Sequence, residues 1–222
     1  MKQAEGASAP ASTVSGGGGA GDAAGRLAAA ASAGAKGRGL PPVHLWNPPF
    51  CGDLDMEIRR DGTWFYLGTP IGRPALVRLF STILKREGDA YFLVTPVEKV
   101  GIRVEDAPFV AVDAVIEGAG DSKGESAGES AGESAVITFE TNVGDRVAAG
   151  PDTPIRVERD PATGEPAPYV MVRAGLEALI DRKTFYRLVE AGVRAERDGV
   201  EWFGLWSGGA FFPVIAAAEL DG

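Results

Sequence analysis

The sequence predicts an α+β fold in two small mixed domains, and three observations predict it. Residues 43–73 hold a hairpin with strict alternation, an apolar stripe at helical spacing follows, and the same order of hairpin, helix and strands returns in the second half. The two halves share order without sharing residues. The expected division is a disordered Ala/Gly/Ser-rich tail over 1–40, an α/β domain over 41–95 and a β-rich domain over 96–222.

The first hairpin is the best-specified stretch. Pro41-Pro42 and Pro48-Pro49 stiffen its approach. Leu54, Met56 and Ile58 alternate with Asp53, Asp55, Glu57 and Arg59, the pattern of a half-buried strand. With Asp61-Gly62 as a two-residue loop, Ile58 faces Phe65 and Met56 faces Leu67, and Trp64 and Tyr66 lie on the charged face. With Arg60-Asp61-Gly62 as the loop and Gly62 left-handed, Trp64 and Tyr66 join Ile58 and Met56 in the core. The second register buries two large aromatics and is favoured on apolar area.

Pro74 then opens a helix that Gly88 is expected to stop, with Leu76, Leu79, Phe80, Ile83 and Leu84 as its buried stripe and Arg78, Lys85 and Arg86 off it. Strands follow at 90–95, 97–104 and 109–116, rich in Val, Phe and Ile and broken at Pro96 and Pro108. A GESA repeat in 124–135 is acidic, small and without an apolar anchor, so 119–134 is expected as a disordered loop before a strand at 136–140.

Residues 141–150, TNVGDRVAAG, form a turn-rich connector to a strand at 154–158, and a Pro/Gly break covers 161–168. A second hairpin pairs 169–173 with 176–180 around Ala174-Gly175. Asp181 caps a helix over 182–191 that Gly192 stops. A third hairpin, 193–197 with 200–206, turns at Asp198-Gly199, and 211–215 is the last strand.

Composition narrows the function. Net charge is −9, and the first forty residues are slightly basic, so the acidity sits in the body of the chain. That disfavours nucleic acid and anionic membrane surfaces, which need a positive field. One cysteine, Cys51, excludes an internal disulfide, and one histidine, His44, excludes the usual zinc ligand sets. With no signal-like start and no long apolar run, a cytoplasmic protein is expected.

No stretch carries legible catalysis. Asp53, Asp55 and Glu57 share a strand face at about 7 Å spacing, where a hard cation could be held, or where Arg59 and Arg60 simply act as counterions. His44 and Cys51 lie in one segment without a third group to orient the histidine. Ser207-Gly208-Gly209 lacks the leading glycine of a nucleophile elbow and suits a turn that lets Trp206 and Phe211 pack. The turn at 143–150 resembles that of biotinyl and lipoyl carriers but lacks their modifiable lysine. There is no phosphate loop and no dinucleotide fingerprint, so no cofactor is expected.

Taken together, HLWNP, CGDLDMEI, RDGTWFYLGTPIGR, LVRLFSTIL, YFLVTPVEKVGIRVEDAPF, TNVGDRVAAGPDTPIRV, PYVMVRAGLEALI and WSGGAFF resemble, over about residues 41–213, a proteobacterial family known as domain of unknown function 1285. The resemblance implies a mainly β roll and an α/β roll, short helices on antiparallel sheets, and a signalling or ligand-binding role without catalytic residues. The long N-terminal tail and the GESA insert depart from that pattern.

The expectation is a non-enzymatic module that binds a small ligand or a protein partner between its domains. Trp46, Arg73, Lys99, Arg173 and Trp206, aromatic or cationic and on or beside the shared motifs, are the expected contacts for an acidic or planar ligand. The alternative is a metal-dependent hydrolase built on Asp53, Asp55 and Glu57. A purely structural, self-associating protein is the third.

Overall fold

The Asp61-Gly62 hairpin adopts the three-residue loop. In the computed structural model, which describes residues 20–34, 39–118, 134–160 and 163–220, strand β1 (Phe50–Ile58) pairs with β2 (Trp64–Tyr66) so that Ile58 faces Trp64 and Met56 faces Tyr66. Gly62 is left-handed at φ +80, and its N–H donates to Arg59 O at 2.9 Å. Trp64 is 1% exposed and stacks on Phe80 at 6.3 Å, while Phe65 turns outward under the Arg59 guanidinium at 3.8 Å. Apolar burial selects this register, because a shift of one residue would put Trp64 in water.

After β3 (Thr69–Pro70), helix α2 spans Pro74–Thr82 and is shorter than its stripe suggests. Leu84–Glu87 forms strand β4, paired with β5 (Ala90–Val94) across a turn in which Gly88 is left-handed. Ile83 and Leu84 are buried, as expected, but Ile83 is the C-cap residue of the helix and Leu84 lies in the strand. Tertiary pairing overrides helical spacing here, and the β-branched pair Thr82-Ile83 helps end the helix.

Strand β6 (Lys99–Val104) corrects the expected division at residues 95/96. It lies in the first sheet, in the order β3-β2-β1-β6-β5-β4, parallel to β1 and antiparallel to β5. The second sheet starts at β7 (Phe109–Glu117) and adds β8 (Val136–Thr141), β9 (Arg146–Ala148), β10 (Ile155–Arg159), β11 (Pro166–Arg173) and β12 (Leu176–Ile180) in the order β10-β11-β12-β7-β8-β9. Its pairs are antiparallel except β12 with β7. Pro166 and Pro168 fall inside β11 rather than in a break, on the strand that pairs with edge strand β10.

Helix α3 (Arg182–Val189) starts where Asp181 accepts a hydrogen bond from Thr184 N at 2.7 Å. The last strands, β13 (Val193–Arg197), β14 (Val200–Ser207) and β15 (Ala210–Ala216), form a three-stranded sheet closed by the short helix α4 (Ala217–Leu220). Ala174-Gly175 and Asp198-Gly199 both have two positive φ angles, as tight two-residue hairpin turns require. One contiguous core runs from Met56, Trp64 and Phe80 through Phe109, Phe139 and Val170 to Phe185 and Leu205.

The expected disordered tail is corrected over Ala20–Gly34, which forms helix α1 against α2. Leu27 and Ala31 are buried, and Ala24 and Ala28 pack on the same core. Alanine favours helix strongly, and the stripe Ala24, Leu27, Ala28, Ala31 repeats at helical spacing. Of the expected tail over 1–40, residues 1–19 and 35–38 lie outside the described residues, as does the expected acidic loop over 119–134 up to residue 133.

Candidate functional site

The two sheets meet along a seam that arginines cross from both sides. On one side the TNVGD turn between β8 and β9 docks on the first domain. Asn142 Oδ1 accepts from Val110 N at 3.1 Å, and its Nδ2 donates to Gly62 O at 3.2 Å. Arg78 Nε donates to Val143 O at 2.9 Å, and a Cβ on Gly144 would stand 2.6 Å from the Arg78 guanidinium. Arg173 pairs with Asp145, donates to Ser81 O at 2.9 Å and lies 4.9 Å over Phe109. The likeness to a carrier turn is therefore one of turn geometry, applied to domain docking.

On the other side, Arg60 Nε stands 3.3 Å from Asp106 Oδ2, and Asp106 Oδ1 accepts from the Tyr169 hydroxyl at 2.8 Å. Burial, and then the Asp106 acceptor, push the Tyr169 phenol far above its ordinary range. Arg156 lies 4.3 Å over the Tyr169 ring and grips Glu177 through two bonds of 2.6 and 2.7 Å, which raise its pKa further.

Arg60 also faces a cleft of about 430 Å³ whose remaining walls come from the second domain. Pro168, Leu179, Ile180 and Phe185 supply its apolar part, and Arg60, Arg182 and Tyr186 its polar rim. Three carboxylates share the lining, each already engaged by its own neighbourhood. Asp181 caps α3, Asp160 accepts from Thr163 N at 3.0 Å, and Glu165 pairs with Arg182 at 3.2 Å. The cleft thus offers two guanidiniums, each beside a carboxylate, and two aromatic rings next to an apolar surface.

The five residues expected to bind ligand fall in separate places. Trp46 follows the 3₁₀ turn Val43–Leu45 and packs so close to Gly34 of α1 that a Cβ there would meet its ring at 2.9 Å. Arg73 is the N-cap residue of α2. Lys99 pairs with Glu87 at 2.9 Å over the Phe92 ring, and with Lys85 it holds the Glu87 carboxyl below its usual range. Arg173 is a seam contact, and Trp206 packs on Phe211 at 5.4 Å.

The other sequence candidates resolve into structure. Asp55 and Glu57 face Arg103 of β6 at 3.6 and 3.3 Å, so their counterion is Arg103 rather than Arg59 or Arg60. Among the described residues no three acidic, His or Cys side chains are grouped to hold a metal, and no helix is long and apolar enough to cross a membrane. Cys51 is exposed, its thiol 3.5 Å from Pro49 O, and His44 is exposed in its turn. Ser207 is buried between Ile137 N and Ala149 O, each at 2.8 Å, while Gly208 and Gly209 turn the chain with positive φ.

Arg182, Phe185 and Tyr186 were within reach of sequence reasoning, since the Asp181 cap places them at i, i+3 and i+4 of one helix. The approach of Arg60 was not, because it follows from the docking of two domains.

Comparison with known proteins agrees with this architecture. No curated protein matches the chain. A DUF1285 family protein from Silicibacter pomeroyi DSS-3, known as a crystal structure, is 62% identical, covers 88% of this chain and 98% of its own, and superposes with a TM-score of 0.75. A second, from Shewanella baltica OS155, is 26% identical over 62% of this chain and 91% of its own, with a TM-score of 0.44. The family models for the N-terminal and C-terminal domains of DUF1285, a domain of unknown function, match residues 41–107 and 108–214 and so meet between β6 and β7, where the sheets change. The chain accordingly belongs to the DUF1285 family, over both of its domains.

Proposed function

We propose that the chain is a two-domain binding module, and that the cleft between Arg60 and helix α3 takes a small acidic ligand with a planar or apolar body. The observation that carries this reading is the convergence of Arg60 from one domain with Arg182, Phe185 and Tyr186 from the other on a cleft of about 430 Å³. A ligand there touches both domains, so its binding would bias how firmly they dock, which is the physical basis for a signalling role. Arg60 and Arg182 supply charge and planar hydrogen bonding, and Phe185 and Tyr186 supply surface for a flat body.

Native mass spectrometry of the freshly purified full chain, set against a denatured spectrum, tests the reading. The expected result is a small organic adduct present only in the native spectrum and lost from the double variant Arg60→Ala, Arg182→Ala. A bare native mass, or an adduct that the double variant retains, would refute the placement.

A further inference from the structure

Helix α1 forms one wall of a second cleft, of about 440 Å³, whose other walls are the end of β2, β3, the turn after it and α2. Ala24, Ala28, Ile71, Leu76 and Phe80 make its lining largely apolar. Phe80 is fully buried beneath it, and the other four pack on the main core, so the lining is a built surface.

Among the described residues one charged side chain lines this cleft, Arg73, and it differs from its counterparts. Arg59 stacks on Phe65, Arg78 and Arg173 hold the seam, and Arg60, Arg103, Arg146, Arg156, Arg182 and Arg187 each face a carboxylate. Among the described residues, Arg73 is the arginine whose guanidinium has no partner. It is also the N-cap residue of α2 without making a capping bond, so its charge adds to the positive end of that helix. Among the described residues no acid lines the cleft to answer it.

Two glycines hold the space open. A Cβ on Gly25 or on Gly72 would meet nothing within 4 Å. Gly25 sits in the middle of an otherwise alanine-rich helix, where glycine is disfavoured and no close backbone approach calls for it. An apolar cleft with room to spare and one unanswered cation at its edge is complementary to a single carboxylate on an apolar chain.

We propose that this cleft binds a monocarboxylic acid with an unbranched apolar tail, its carboxylate on the Arg73 guanidinium and its tail between Ala28, Ile71 and Leu76. The site is separate from the Arg60 cleft and does not depend on it.

Isothermal titration calorimetry of the full chain with sodium octanoate, and with octanamide as the uncharged counterpart, tests the proposal. Octanoate is expected to bind more tightly than octanamide, and Arg73→Gln to weaken octanoate about tenfold or more, the usual effect of losing a hydrogen bond to a charged group. Gly25→Leu is expected to fill the cleft and abolish binding while the melting temperature holds or rises. The Arg60→Ala, Arg182→Ala variant is expected to bind octanoate as the wild type does. Absence of octanoate binding at millimolar concentration, equal affinity for octanamide, or unchanged affinity in both Arg73→Gln and Gly25→Leu would overturn it.

Discussion

Replacing Arg173 by alanine removes three contacts at once from the seam between the domains. The guanidinium pairs with Asp145, donates to Ser81 O at 2.9 Å and covers the Phe109 ring at 4.9 Å. Hydrogen bonds that involve a charged group contribute about 1.5–3 kcal/mol in mutational series. A partly desolvated cation over an aromatic ring adds about 0.5–2 kcal/mol. The Arg173 and Asp145 side chains are 20% and 23% exposed, so water can reach the stranded carboxylate and moderates the loss. The expected cost is about 2–4 kcal/mol, a large fraction of the roughly 5–15 kcal/mol by which folded domains are stable. Urea denaturation followed by circular dichroism measures it. Arg146→Ala is the control, because that arginine is 76% exposed in its pair with Glu140, and exposed pairs contribute about 0–1 kcal/mol. Arg173→Lys keeps the charge but not the fork and should fall between the two. If Arg173→Ala lies within about 0.5 kcal/mol of wild type, against the 1.5–3 expected of a charged hydrogen bond, Arg173 does not hold the seam and the docking argument fails.

Two further outcomes follow from the same structure. Leu27→Ala in α1 should cost about 2–4 kcal/mol by urea denaturation, as buried Leu→Ala changes do, since Leu27 is 1% exposed; a change near zero would return α1 to the tail. Burial raises the Tyr91 phenol, and burial with Asp106 raises Tyr169, both above the ordinary value of 10.0, so each contributes stability that is whole below pH 10.0 and is lost as the pH rises toward the folded-state values. Above that pH the wild type should lose stability more steeply than Tyr169→Phe, which has no phenol to ionise; parallel curves, with tyrosinate absorbance as the check, would contradict the burial of Tyr169.

Features settled within a few residues were legible in the sequence. The strand alternation from Asp53 to Arg59, the left-handed glycine of the Asp61-Gly62 loop, the turns at Ala174-Gly175 and Asp198-Gly199 and the Asp181 cap all rest on local sterics and hydrogen bonds, and all are present. The resemblance of the motifs from residue 41 onward identified the family for the same reason, since it needs only the order of residues.

Features that need a partner distant in the chain were decided by tertiary structure. Leu84 ends a helical stripe, yet Leu84–Glu87 becomes a strand because β5 pairs with it. Lys99–Val104 joins the first sheet because β1 accepts it in parallel, a pairing that no turn signal announces. Ala24, Leu27, Ala28 and Ala31 read as low complexity until α2 offers a face on which their small side chains can be buried. Trp46, Arg73, Lys99, Arg173 and Trp206 have the right chemistry for one ligand, yet the fold sends them to separate places and sets Arg60 beside Arg182 instead. The physical reason is common to all four. Local geometry depends on neighbours along the chain, whereas a site depends on which surfaces the burial of the core brings together.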